Sequence, residues 1–271
     1  MVKLACDKNL TRRVILRSDK IDYGIIGDDM QVVQVYLDPG ETVIAEAGAL
    51  IWMDDGIKTE TKSGDGSKVQ NGFFDKIKDI GTRVLSGESL FITHFTNVGV
   101  GKKKIVFGAG YPGKIKTLNL GALPDNKFIA QRGAFLSAAK GTSLGVEVVK
   151  DIGGGFFGGE GFVLQKIEGD GTAFIHAGGN VIQQELNGEK IKVDTGCLVG
   201  FTGNIDYRIE RSGDIKTMMF GNEGIFLATL QGHGTVYLQS LPFSKTVKLM
   251  AESLGSESKG NRSIKPSFRI G

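Results

Sequence analysis

Cysteine is scarce in this chain: the 271 residues include only Cys6 and Cys197, which lie far apart in the sequence. Two distant cysteines provide neither a disulfide framework nor the ligand spacing of a metal site. We therefore expect a reducing compartment, with the cytoplasm as its location. Cys197 also aligns with Ala49 and Ala134 in the repeat described below, which predicts a small core residue.

The N-terminus lacks the apolar segment and cleavage site of a secretory signal peptide. Its arginines leave a mitochondrial transit peptide open as an alternative, although Asp7 and Asp19 count against it. The uncharged stretch 224–244 is long enough to cross a bilayer. Its Gln231-Gly232-His233-Gly234 centre and Pro242 instead predict two strands joined by a turn.

Patterns that bind cofactors are also lacking. There is no G-x-x-x-x-G-K-[ST] phosphate loop, and the G-x-G-x-x-G at 153–158 precedes a strand-like run where a dinucleotide loop would open a helix. No spacing groups a Ser/His/Asp set, a Cys/His pair or two carboxylates. We predict no catalytic residue, no cofactor and a non-enzymatic protein.

The three histidines, His94, His176 and His233, occupy different positions in the repeat and form no H-x-H pair. This pattern favours structural or exposed histidines over a metal triad. We therefore predict no metal site.

Glycine, in contrast, is abundant at 41 residues, about twice the usual share of roughly 7 %. Part of it marks a threefold internal repeat in which a glycine opens an apolar run and a glutamate leads a second block. The glycines are Gly48, Gly133 and Gly196, and the glutamates are Glu88, Glu160 and Glu223. The last two copies have the same spacing, and the first is longer. Such units share a core with their neighbours.

The local patterns predict an all-β protein. Val33, Val35 and Leu37 alternate with polar residues before a turn at 38–40, and a second turn at 54–56 is expected to close another strand pair. Turns recur about every 8–12 residues. Phe73, Ile77, Ile80 and Val84 predict a short amphipathic helix inserted in the first copy, which would cover an open end of the β body.

We accordingly divide the chain into five segments. They are a basic N-terminal segment (1–24), β repeat 1 with the helical insertion (25–121), β repeat 2 (122–187), β repeat 3 (188–250) and a Ser/Gly/Lys-rich tail predicted to be disordered (251–271). The net charge of +3 comes from the two ends, so the body between them is acidic. This charge distribution disfavours nucleic-acid binding.

Two residue sets are candidates for function. The paired aromatics Phe73, Phe74, Phe156 and Phe157 form a candidate interaction surface, with core packing as the favoured alternative and a peripheral lipid contact as an unsupported one. The equivalent carboxylates of Glu88, Glu160 and Glu223 could bind a cation together, but a structural role in turns is favoured.

Four motifs carry a family resemblance: AEAGAL (45–50), SGESLF (86–91), GGEGFVLQ (158–165) and GTVYLQS (234–240). Together they resemble the altered-inheritance-of-mitochondria protein twenty-four family over about residues 25–245. The resemblance implies a fold like that of the trp RNA-binding attenuation protein. That fold has three similar β-sandwich or double-stranded β-helix-like subdomains with exchanged strands, and a homotrimer as first guess. It supplies no catalytic residues, and a shared fold does not transfer RNA binding.

We expect a cytoplasmic homo-oligomer that acts as a scaffold or protein-interaction module with an unknown protein partner. Two alternatives stay open. One is a small-ligand binder or enzyme with a pocket between subdomains, and the other is an RNA binder by analogy of fold.

Overall fold

The computed structural model describes residues 18–46, 48–63, 91–148, 163–212 and 225–260. These ranges contain strands β1 to β16, three short 3-10 helices and one α-helix. The strands are β1 Asp22–Ile26, β2 Val32–Leu37, β3 Thr42–Glu46, β4 Leu50–Met53, β5 Ile57–Ser63, β6 Phe91–Asn97, β7 Lys103–Gly108, β8 Gly113–Asn119, β9 Lys127–Gln131, β10 Phe135–Ala139, β11 Ser143–Val148, β12 Val163–Glu168, β13 Thr172–Gly178, β14 Val181–Asp194, β15 Leu198–Ser212 and β16 Ile225–Gln239. The helices are the 3-10 turns Leu120–Ala122, Pro124–Asn126 and Thr195–Cys197, and the α-helix α1 Phe243–Gly260.

The alternation that predicted a strand at 32–37 is confirmed in β2. Val33, Val35 and Leu37 are fully buried, because successive side chains of a strand point to opposite faces. The turn at 38–40 is confirmed as well. Gly40 there has a φ of +87°, which a residue with a Cβ rarely adopts.

The strands form three sheets, and all strand pairs are antiparallel. One sheet has the order β1-β2-β7-β4, the second β5-β6-β3-β10-β13-β8 and the third β11-β12-β9-β15-β16-β14. The second sheet combines strands from segments 25–121 and 122–187, and the third combines strands from 122–187 and 188–250. The prediction of a mainly β protein is therefore confirmed.

Like the sheets, the apolar core combines residues from different segments of the chain. One apolar cluster joins Ile44 of β3, Phe128 of β9, Phe135 of β10 and Tyr237 of β16. The rings of Phe128 and Tyr237 meet edge to face, with centroids 5.3 Å apart. Residues far apart in sequence thus share one apolar interior.

The turn at 54–56 does not close a hairpin, which corrects the sequence prediction. β4, before the turn, pairs with β7, whereas β5, after it, pairs with β6 in a different sheet. A turn motif specifies a change of chain direction, but tertiary packing selects the partner of each strand.

The stretch 225–239 is one continuous strand and not two strands joined by a turn. β16 pairs with β14 on one side and β15 on the other. A Cβ on Gly234 would lie 2.0 Å from the backbone oxygen of Thr202. This glycine therefore permits close approach of two strands, which in sequence resembles a turn signal.

The tail prediction is also corrected over part of its length. Helix α1 continues through residues 251–260, the first ten residues of the segment predicted to be disordered. The helix is held at its start by Phe243, which stacks on Tyr111, and by an ion pair of 2.9 Å between Lys245 and Asp194. Cys197 is partly buried and packs at the border of a separate apolar cluster in the third sheet, which includes Leu198, Phe201 and Leu230.

Candidate functional site

Strand β4 forms an open edge of the four-stranded sheet. It pairs with β7 on one side, and within the described ranges no strand lies on its other side. Its apolar residues Leu50, Ile51 and Trp52 are nevertheless 38 %, 54 % and 44 % exposed. An edge with free backbone groups and apolar side chains is a template for another strand.

A hydrogen bond and a close packing contact hold β4 against the neighbouring strand β7. The Gly108 N–H donates to the Ala49 carbonyl over 2.9 Å. A Cβ on Gly108 would lie 2.7 Å from Cδ1 of Ile51, so the glycine makes room for that side chain. The strand is therefore presented to solvent by a closely packed support.

A second open edge lies on β14, the last strand of the third sheet. Within the described residues it pairs with β16 only. Lys190 and Lys192 near its end are exposed, and Val193 is buried in the apolar cluster that includes Leu198 and Phe201. The Asp194 carboxylate ends the strand by accepting the Gly196 N–H over 2.8 Å. Lysines on an edge strand disfavour unspecific pairing.

A column of three aromatic rings joins helix α1 to the body. The His176 and Tyr111 rings meet edge-on with centroids 4.6 Å apart, and Tyr111 stacks on Phe243 at 5.0 Å. Burial lowers the pKa of His176 to about 4, so the imidazole is neutral near pH 7. Its Nδ1 is buried and has no hydrogen-bond partner among the residues that the structure describes.

Charged groups lie beside this column. Burial raises the pKa of the Glu46 carboxyl, and the Arg132 guanidinium opposes that shift. Burial also raises the pKa of Tyr111, and the nearby Glu46 carboxylate adds to the effect. Through the ring of Phe243, the column packs helix α1 against the body.

The sequence-predicted site residues are not described by the structure. The residues concerned are Phe73, Phe74, Phe156, Phe157, Glu88, Glu160 and Glu223, and the predicted helix over 73–84 lies outside the described residues with them. The interaction-surface and carboxylate hypotheses therefore stay predictions.

The three histidines lie at separate places. His94 on β6 and His176 on β13 are buried, with β3 and β10 between their strands, and His233 on β16 is exposed. In the part of the chain that the structure describes, no three His, Cys, Asp or Glu residues come together as metal ligands would.

The β4 edge was missed by sequence reasoning. Its signal is the unbroken apolar run Leu50-Ile51-Trp52-Met53. A fully buried strand has the same signal, so the run alone does not distinguish a covered strand from an open edge.

The fold defines an all-β protein with three antiparallel sheets, two of which combine strands from different segments of the chain. Residues 23–241 match the model of the family "Mitochondrial biogenesis AIM24", and the chain belongs to that family. This finding confirms the family resemblance.

The chain is also 29 % identical over 222 residues to an uncharacterised protein of Streptococcus pyogenes serotype M6, covering 80 % of this chain and 85 % of the relative. A crystal structure of a Streptococcus pyogenes protein from a structural genomics consortium matches with a TM-score of 0.66 and 24 % identity. That match covers 86 % of this chain and all of the other, and it supports the fold. No helix among the described residues combines the length and apolarity needed to cross a membrane.

Proposed function

We infer that the protein is a non-enzymatic scaffold or protein-interaction module, and that strand β4 is its binding surface. The observation that carries this function is the exposure of Leu50, Ile51 and Trp52 on a sheet edge that has no neighbouring strand within the described ranges. Three consecutive large apolar residues on such an edge favour contact with another protein surface.

The internal repeat supports this function. With Gly48, Gly133 and Gly196 aligned, β4 corresponds to β10 and to the beginning of β15. Phe135 and Leu198, at the position of Leu50, are each 1 % exposed. Within the described residues, β10 and β15 have a neighbouring strand on both sides, whereas β4 has only β7 on one side. We propose that the three copies are similar subdomains with exchanged strands, as the family resemblance implies.

The energetic gain from covering β4 is appreciable. Complete burial of a large apolar side chain contributes about 1.5–3 kcal/mol, so three residues that are about half exposed represent about 2–4 kcal/mol. Backbone hydrogen bonds along the edge would add to specificity. We expect a cytoplasmic assembly, and the trimer implied by the family resemblance is the first stoichiometry to test.

The function is tested on protein isolated by mild lysis from the cells that make it. Light scattering after size exclusion compares the wild type with Trp52→Lys and with a matched control, Val100→Lys, which changes an exposed apolar residue elsewhere. We expect wild type and control to form an assembly larger than one chain, and Trp52→Lys to form a smaller one.

The fluorescence of the single tryptophan provides an independent measurement. If β4 is covered in the assembly, acrylamide quenching of Trp52 should be weaker in the assembly than in diluted single chains. A wild type that is a single chain both in fresh lysate and after purification, with Trp52 accessible in both, would contradict the proposed function.

A further inference from the structure

Two strand pairs inside the chain join consecutive copies of the repeat in the same register. β10 pairs with β3, placing Ser137 opposite Ala45. β15 pairs with β9, placing Gly200 opposite Ala130. Ser137 and Gly200 occupy the same place after Gly133 and Gly196, and Ala45 and Ala130 the same place before Gly48 and Gly133. We call such a strand pair between consecutive copies a joint, and the chain contains this joint twice.

The joint continues beyond these pairs. In the first joint Ala138 lies opposite Ile44, and in the second Phe201, the equivalent of Ala138, lies opposite Ile129. The Lys140 N–H also donates to the Thr42 carbonyl over 3.1 Å, one residue past the end of β10. Two consecutive residue pairs are thus the same in both joints, and the first joint extends further, to Lys140 and Thr42.

The first and the third copy of the repeat each carry one strand of such a joint, and the described structure does not pair these two strands. Trp52 of β4 is the equivalent of Ser137 and Gly200, and Val193 of β14 is the equivalent of Ala45 and Ala130. β4 and β14 are both outer strands of their sheets, and in the described structure they do not pair with each other.

Side-chain burial distinguishes the unused halves from the used ones. Leu136 and Val199 are buried, whereas their equivalent Ile51 is exposed. At the other half, Ile44 and Ile129 are buried and their equivalent is the exposed Lys192. Of the two outer edges, β4 therefore exposes an apolar side chain at this position and β14 a lysine.

The edges of β4 and β14 carry complementary charges. Asp55 is the equivalent of Lys140, and Lys190 is the equivalent of Thr42, so the register of the β10–β3 pair places Asp55 opposite Lys190. Both residues are exposed in the single chain. Oppositely charged residues directly across an antiparallel pair stabilise it, and like charges destabilise it.

We propose that the occupant of the β4 edge is a second copy of this chain, which adds residues 190–193 of its β14 in the register of the two internal joints. Trp52 then lies opposite Val193 of the partner subunit, and Met53 opposite Lys192 of the partner subunit. The inference rests on the proposed function and names the partner for its surface. Because the two surfaces differ, the contact is heterologous and builds a closed ring or an open filament.

Disulfide trapping with two purified single variants tests the register. Trp52→Cys and Val193→Cys are made in a chain whose native thiols are removed by Cys6→Ser and Cys197→Ser. Residues opposite each other in an antiparallel pair have Cβ atoms roughly 4.5–5.5 Å apart, close enough for a disulfide after small adjustments. Mixing the two variants under mild oxidation should give a covalent dimer, and neither variant should dimerise alone.

A second pair protects the test against misfolding, since Val193 is buried. Asp55→Cys and Lys190→Cys change exposed residues only and should also cross-link when mixed. Trp52→Cys mixed with Lys190→Cys is the off-register control and should give little product.

Charge reversal gives a test without cysteine. Asp55→Lys alone and Lys190→Asp alone should each weaken self-association about tenfold, and the chain that carries both changes should regain it. The failure of the double variant to recover, while both single variants are folded, would overturn the proposed register.

Three other results of the cross-linking experiments would each indicate a different arrangement. A covalent dimer of Trp52→Cys with itself would indicate pairing of two β4 edges and overturn the proposal. A disulfide formed within one dilute chain carrying Trp52→Cys and Val193→Cys would overturn it too, because the chain would then close on itself. If neither cysteine pair cross-links but the assembly in lysate still depends on Trp52, another protein covers β4; the proposed function then stands and the second-copy partner is wrong.

Discussion

Acid should destabilise this protein through His176, because the folded state keeps its imidazole neutral. The side chain is 2 % exposed, and burial lowers its pKa from 6.5 to about 4. In the unfolded chain the imidazole is solvated and takes up a proton near its ordinary pKa. Between these two values the unfolded state binds more protons than the folded state.

The sign and the size follow from that difference. Where the unfolded state binds more protons, the free energy of unfolding rises with pH, so the contribution of His176 is complete above about pH 6.5 and is lost as pH falls toward about 4. At about 1.36 kcal/mol per pKa unit, the full loss amounts to about 3 kcal/mol. This is a large fraction of the usual stability of a domain.

The assay is denaturant unfolding at a series of pH values for wild type and His176→Gln, which cannot take up the proton. The difference in free energy of unfolding between the two proteins should change by about 3 kcal/mol from pH 7 to pH 4, with the wild type losing more. His233→Gln, which removes an exposed imidazole, serves as the control. Parallel profiles for wild type and His176→Gln would refute the reasoning.

Two further substitutions test the packing. Asn97 is 1 % exposed, its amide nitrogen donates to two backbone carbonyls at 2.8 Å each, and its side-chain oxygen accepts the Gly99 N–H at 2.9 Å. Asn97→Ala should therefore lower the free energy of unfolding by about 3 kcal/mol in urea titration. A Cβ on Gly200 would lie 2.4 Å from the Ile129 oxygen. Gly200→Ala should cost about 1–3 kcal/mol in the same titration, and Gly24→Ala, which meets nothing within 4 Å, about 0.5 kcal/mol or less. Equal effects of Gly200→Ala and Gly24→Ala would contradict the packing argument.

The local sequence pattern was sufficient to predict a strand and its buried face where only one face of the strand is buried. Val33, Val35 and Leu37 alternate in the sequence and are buried together in β2, because a pleated strand allows only that arrangement. The strand expected after the Gly-rich motif is also present, as β12. The family match likewise follows from residues close together in the chain.

The local sequence pattern gave wrong predictions where contacts with residues distant in the sequence determine the structure. Gly232 and Gly234 resemble a turn but lie inside β16, where close contact with β15 requires residues without side chains. Residues 251–260 resemble a disordered tail, but they continue a helix whose start is anchored by Phe243 and Lys245.

By itself, the sequence determined the β class, several strand faces, the repeat period and the family, since all of these depend on residue order and local sterics. Only the tertiary structure decided which strands are neighbours and therefore which are not covered. Leu50-Ile51-Trp52 is as apolar as a core strand, and these residues are exposed on a strand that has β7 on one side and no described strand on the other. Strand pairing is a long-range choice of partner, and no local pattern encodes the empty side of an edge.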